Sequence, residues 1–261
     1  MKTAKGFGKR FLTLAAAAVI ALSAYGTASA GGEHGHGQGA HWGYEGEHGP
    51  AHWGDMSDKF KACKEGHKQS PIDIVDAGKA DLEDIEFHYG ASKIDIINNG
   101  HTVQVNYDKG SYIKVNGKRY DLLQFHFHTP SEHTVGGAHY KGEMHLVHKS
   151  SDGKLAVVGV LIVEGQENPA YSTVWAGLPK KAGKAHTIKG TVDAARLLPG
   201  DRDFYTYSGS LTTPPCSEGV TWLVLTEPVK MSEDQIEDIN KILHSNNRPT
   251  QPLHGRTVVK D

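Results

Sequence analysis

The 261-residue chain has only two cysteines, Cys63 and Cys216, and neither stands near its histidine-bearing runs. Long apolar runs are also scarce. Beyond the first thirty residues nothing approaches the roughly 20 apolar residues that a membrane-spanning helix needs. Charge of one sign is missing too: 28 Lys and Arg face 30 Asp and Glu, for a formal net charge of −2. The two signs are interspersed, which leaves no basic footprint for nucleic acid or a membrane surface, so the expected partner is a small molecule. No linker-like stretch and no long repeat divides the chain, so one domain is expected.

The first thirty residues read as a cleavable signal peptide, with Lys2, Lys5, Lys9 and Arg10 before an apolar run and Ala28-Ser-Ala30 as a small-residue cleavage site. Residues 31–40 are rich in Gly and His, cannot bury a core, and are expected to be flexible. His34 and His36 there could scavenge metal, although a solvated tail explains them as well. Residues 41–261 remain for the domain. Export implies a periplasmic or secreted, oxidising setting, in which an even cysteine count suggests a Cys63–Cys216 disulfide. Closing a loop of about 150 residues would stabilise the fold by about 5 kcal/mol in the chain-entropy account. The alternative is two free buried thiols.

Short β-rich runs at 94–97, 102–107, 111–115, 122–128, 142–149 and 155–163 are separated by turn signals such as Asn98-Asn-Gly100, Asn116-Gly117 and Ser151-Asp-Gly153. Hairpins with a meander follow, so the fold class is mainly β, built on a large, mostly antiparallel sheet. A further run at 220–225 follows Leu211-Thr-Thr-Pro-Pro215, whose prolines stiffen the preceding loop. Helix signals are few. Asn168-Pro169 predicts a helix ending at Pro179, and Ser232-Glu-Asp-Gln235 is a capping-box pattern followed by an apolar stripe of Ile236, Ile239, Ile242 and Leu243.

Within the 122–128 run, Gln124, His126 and His128 share one strand face, because side chains two apart point the same way. Glu143, His145 and Val147 share a face in the same manner, so pairing the two strands could gather three imidazoles over one point. A structural zinc usually takes four protein ligands and a catalytic one three plus water, so this set favours the open, catalytic kind. The plain alternative is coincidence in a chain with 17 His. Against it stand Gln124 and Glu143, polar residues on the ligand face that could accept a hydrogen bond from the other ring nitrogen of a ligating imidazole.

The motifs Trp42-Gly-Tyr44, Gln69-Ser-Pro-Ile72, Asn98-Asn-Gly-His101, Gln124-Phe-His-Phe-His128 and Ser131-Glu-His-Thr134 occur in one order with Glu143-Met-His-Leu-Val-His148, Leu211-Thr-Thr-Pro-Pro215, Asn246-Asn-Arg-Pro249 and Gln251-Pro-Leu253. On these motifs the chain resembles an α-class carbonic anhydrase of the exported bacterial type. The resemblance implies one domain with a large twisted sheet, Zn2+ held by His126, His128 and His145 at the base of a cleft, and Gln124 and Glu143 orienting those ligands. It implies reversible hydration of CO2 to bicarbonate and a proton by zinc-bound hydroxide, with ester hydrolysis as a side activity.

Carried over by motif, Thr212 would accept a hydrogen bond from the hydroxide and donate one to Glu132, and Thr213 would line the pocket. Val147, Val157, Leu211, Val220 and Trp222 would form the apolar wall beside CO2, although the residues alone read equally as sheet core. His101 would shuttle protons from a turn at the cleft rim, while Tyr44, Asn99 and Gln104 would order water. His133 and His148 read as hydrogen-bonded structural histidines, and Arg248 as a brace for the C-terminal segment. A non-catalytic binding protein on the same fold is the rival, and the intact ligand set argues against it. No motif chooses between monomer and homodimer.

Overall fold

The computed structural model describes residues 41–261; the predicted signal peptide and the Gly/His-rich segment lie outside the described residues. Among those residues a 13-stranded sheet dominates. Its main path runs His186–Asp193, Ala91–Asn98, Val103–Asn106, Lys118–His128, Gly142–Lys149, Leu155–Glu164, Glu218–Leu225, Phe204–Ser210, Val259–Lys260 and Gly78–Lys79. Most neighbours are antiparallel, but Leu155–Glu164 pairs in parallel with both Glu218–Leu225 and Val229–Met231. The sheet is therefore mixed, and the right-handed twist of its strands follows from L-residue sterics.

Local chemistry explains the hairpins. Asn116 and Gly117 both adopt positive φ, 48° and 69°, and join Tyr112–Val115 to Lys118–His128. That is the two-residue turn whose twist matches paired strands, and Asn-Gly tolerates it because Gly lacks a Cβ and Asn accepts the left-handed region.

The sheet separates two apolar layers by strand parity. Phe125, Phe127, Met144, Leu146, Val158, Val160 and Leu223 all enter the larger buried cluster, together with Ile236, Ile239 and Leu243 of the Glu233–Leu243 helix. The capping box forms as expected: Ser232 Oγ accepts from Gln235 N, and the Gln235 side chain accepts from Ser232 N. The opposite face carries a smaller cluster around Val157, Leu161, Val220, Trp222 and Val224.

The helix expected from Asn168 to Pro179 is much shorter. Asn168 does cap it, accepting from Ala170 N, but only a 3-10 turn at Pro169–Tyr171 and one α turn at Ser172–Trp175 follow. Packing stops it: a Cβ on Gly177 would run into Ile188 Cδ1, so the chain meets the neighbouring strand immediately after the second turn. No helix among the described residues is long and apolar enough to cross a membrane.

Candidate metal centre

Strand register builds the site. Lys118–His128 and Gly142–Lys149 pair antiparallel with His145 directly opposite His126 and Glu143 opposite His128. The three imidazoles thus meet on the face away from the main core, and one ligand atom from each lies within 4.8 Å of the others. Ring-centroid separations are 5.0 Å for His126–His128, 5.3 Å for His126–His145 and 4.6 Å for His128–His145.

Each imidazole is oriented from behind. His126 Nδ1 donates to Gln124 Oε1 at 2.9 Å, His145 Nε2 to Glu143 Oε1 at 2.9 Å, and His128 Nδ1 to the main-chain oxygen of Asn246 at 2.8 Å. These bonds leave Nε2 of His126, Nε2 of His128 and Nδ1 of His145 as the lone-pair atoms. His128 Nε2 is buried with no hydrogen-bond partner, which is costly unless something else meets it. Burial lowers all three pKa values, His126 well below the ordinary range and His128 to about 4, and so favours the neutral form that can ligate. The donor set fits a borderline-soft divalent metal such as zinc.

A second group, His133, Glu143 and His145, also lies close enough to hold an ion. Its atoms are already committed. His133 Nδ1 donates to Glu143 Oε1 at 2.7 Å and its Nε2 is 2.6 Å from Tyr207 OH, while Glu143 Oε2 accepts from the main-chain N–H groups of Glu132 and His133. It therefore serves as a hydrogen-bonded frame behind His145. Burial alone would raise the Glu143 pKa, but His133 and His145 outweigh it and hold the carboxyl ionised. Gly159, opposite His145 on the next strand, makes room for this carboxylate: a Cβ there would stand 2.9 Å from Glu143 Oε1.

Glu132 is fully buried beside the cluster, its Oε2 3.5 Å from His128 Nε2 and 3.9 Å from His145 Nδ1. Burial raises its pKa to about 7, against the lowering influence of His145, the Arg248 N–H and the Thr212 hydroxyl. Oε1 accepts from Arg248 N at 2.9 Å, whereas Oε2 is buried without a hydrogen-bond partner. Arg248 braces this region as expected, donating to Gln69 Oε1, Ser70 O and Cys63 O. Cys63 and Cys216 form a disulfide.

Val147, Val157, Leu211, Val220 and Trp222 all belong to the smaller apolar cluster. Val147 pairs with Val157, and Val157 with Trp222, so the three stand in one row across adjacent strands. Trp222 lies 4.8 Å from His145 between ring centroids and donates to Ser210 O. Val157, Val220 and Trp222 are buried, whereas Val147, Leu211 and Thr213 stay partly open.

The rim residues are more constrained than the sequence suggests. His101 is half-buried rather than exposed: its ring stacks on Trp42 at 3.7 Å and 9°, and burial followed by the charge of His41 lowers its pKa to about 4. Asn99 Oδ1 is occupied in closing the turn, accepting from His101 N and Thr102 N. Gln104 sits opposite His126 and donates to Asn106 Oδ1 at 2.7 Å. Tyr44 OH is buried without a partner. His133 and His148 are hydrogen-bonded structural histidines; His148 Nε2 is 2.7 Å from Tyr89 OH, and its Nδ1 donates to Ala156 O.

The Asn246 carbonyl and Gly159 were missed in the sequence. A main-chain acceptor leaves no signature in residue type, and a glycine within a strand signals a close approach without naming the neighbour.

Fold and site together define a class: a large-sheet β protein with three anchored imidazoles able to hold a metal ion. Comparison with known proteins then narrows it. A family model described as "Eukaryotic-type carbonic anhydrase" matches residues 48–261. The chain is 45% identical over 224 residues to a carbonic anhydrase of Klebsiella pneumoniae, covering 85% of this chain and 91% of that one. It is 40% identical over 256 residues to one from Neisseria gonorrhoeae, covering 97% and 99%. The solved structure of α-carbonic anhydrase from Thermovibrio ammonificans with the inhibitor sulfanilamide superposes with a TM-score of 0.83 at 49% identity, covering 85% of this chain and all of that chain. The chain belongs to the α-type carbonic anhydrase family and is an enzyme of that family, whose general reaction is CO2 hydration.

Proposed function

We propose that the chain is an exported bacterial enzyme that hydrates CO2 reversibly, with zinc held by His126, His128 and His145. The observation that carries this reading is the convergence of three neutral imidazoles, each with its other nitrogen bound to an acceptor. When bound, zinc supplies a Lewis acid that makes a nucleophilic oxygen available at neutral pH; carbonic anhydrase is the known example, with bound water at a pKa near 7.

The chain's own residues do the rest. Gln124, Glu143 and the Asn246 carbonyl hold the three rings in their ligating tautomers. Glu132 faces the cluster with an unpaired oxygen, so a Thr212 hydroxyl that donates to it has only lone pairs left for the attacking oxygen. That arrangement selects a protonated nucleophile and fixes its remaining lone pair toward substrate. Val147, Val157, Leu211, Val220 and Trp222 present an apolar wall beside His145, with Thr213 at its edge, suited to a linear molecule without strong hydrogen-bonding groups. Tyr44, Asn99 and Gln104 are the residues proposed to order water near the site, and His101 passes the released proton to buffer once its ring leaves Trp42, since the stacked ring is too weakly basic to take it near neutrality. The disulfide supports export.

Stopped-flow CO2 hydration tests the reading. Zinc-replete protein is expected to be active, with a fall of several orders of magnitude after chelation and in His145→Ala; a rate indifferent to both treatments overturns the zinc mechanism.

A further inference from the structure

We propose that His67 and His254 form a second metal site, distinct from the catalytic cluster, for a divalent first-row transition ion. The proposal is independent of the catalytic reading. Its first support is an internal ruler. The His67 and His254 ring centroids are 5.2 Å apart at 73°, within the 4.6 to 5.3 Å range of the three pairs in the catalytic cluster. By contrast, His41–His48 and His133–His145 fall outside that range at 5.9 and 6.3 Å.

Burial of ring surface does not explain the contact, because both residues are exposed. Two imidazoles side by side in water gain little from each other and repel when protonated, whereas a shared cation uses both.

The pair is also preorganised. The main chain beside His67 is held by one carboxylate: Lys68 N donates to Glu218 Oε1 at 2.6 Å, and Gly66 packs so close that a Cβ there would stand 2.6 Å from the same oxygen. Gln69 Nε2 adds a third contact to the same oxygen at 3.1 Å. The loop is further held by the Cys63–Cys216 disulfide. His254 sits at φ 47° on a turn that Arg256 braces by donating to Leu253 O, Pro252 O and Ser208 O. Holding both main-chain segments in place before binding removes part of the ordering cost.

The Glu218 carboxylate stands beside His67, its Oε1 taking the Lys68 and Gln69 bonds. Its partial burial alone would raise the carboxyl pKa, but those bonds, with Arg256 and His67 nearby, lower it and keep the group ionised. Two imidazoles suit nickel, copper or zinc, the nearby Glu218 charge favours a cation over an anion, and the divalent affinity order places nickel below copper and near zinc.

The test titrates Ni2+ into the zinc-loaded, full-length protein by calorimetry, beside His67→Ala and His254→Ala. Binding is expected to weaken at least tenfold in each variant while CO2 hydration stays at the wild-type rate, which also shows that both variants fold. Ni2+ affinity unchanged in either variant, as when other imidazoles such as His34 and His36 carry the binding, overturns the site.

Discussion

His101 shows how one residue can match a motif and still be held away from the part proposed for it. Its ring is stacked flat on Trp42, and the loss of water around it brings the pKa to about 4. Trp42→Ala is expected to expose the ring and move its pKa up toward the ordinary 6.5, followed by the NMR titration of its ring proton. His101→Ala is expected to slow turnover in weak buffer at least tenfold, conservative against the 10²–10⁴-fold typical of a positioned proton-transfer group, with imidazole restoring part of the rate. An unchanged rate in weak buffer removes the shuttle. His148 is a simpler case. Burial pushes its pKa to about 3, beside Tyr89 and the Ala156 carbonyl, whereas the unfolded chain titrates near 6.5. The unfolded state therefore binds the extra proton first as pH falls. The stability from keeping this imidazole neutral is fully present above about pH 6.5 and is lost progressively toward pH 3, on the order of 5 kcal/mol in all. Urea midpoints from pH 7.5 to 4.5 are expected to fall more steeply in the wild type than in His148→Gln, and parallel slopes would contradict the assignment.

Among the elements, the Lys118–His128 strand does two jobs through parity. Gln124, His126 and His128 face the site, and Phe125 and Phe127 lock the other face into the core. Phe125 is wholly buried, 5.9 Å from Phe127 and 6.4 Å from Tyr107 between ring centroids. Phe125→Ala is expected to cost about 3–5 kcal/mol, read from urea unfolding, because the cavity loosens the strand that carries His126 and His128. This element was legible because alternation and an Asn-Gly turn are local signals; the observed strand extends the expected 122–128 run back to Lys118. The Asn168 helix was legible only at its start. A cap is local, but its early stop depends on Ile188, which is distant in sequence.

At the scale of the whole molecule, the Cys63–Cys216 disulfide closes a loop of 153 residues and holds Cys216 just after the Thr212 loop. Arg248 ties the same end together through Cys63 O and Ser70 O while its own N–H holds Glu132. Reduction is expected to cost about 5 kcal/mol of stability in the chain-entropy account, seen as a lower urea midpoint with unchanged CO2 hydration below the transition. A midpoint unmoved by reduction would mean that the cross-link adds nothing to the fold.

The sequence by itself determined what local chemistry can encode: β-rich runs and their turns, the helix caps, which residues share a strand face, and His126, His128 and His145 as the histidines that could meet over one point. Only the tertiary structure decided which chains lie side by side. The parallel pairing of Leu155–Glu164 with Glu218–Leu225, the Asn246 carbonyl behind His128, the space at Gly159 for Glu143 and the Trp42 stack on His101 all join distant segments. Such contacts arise from packing one surface against another, and neither periodicity nor residue type specifies the partner in advance.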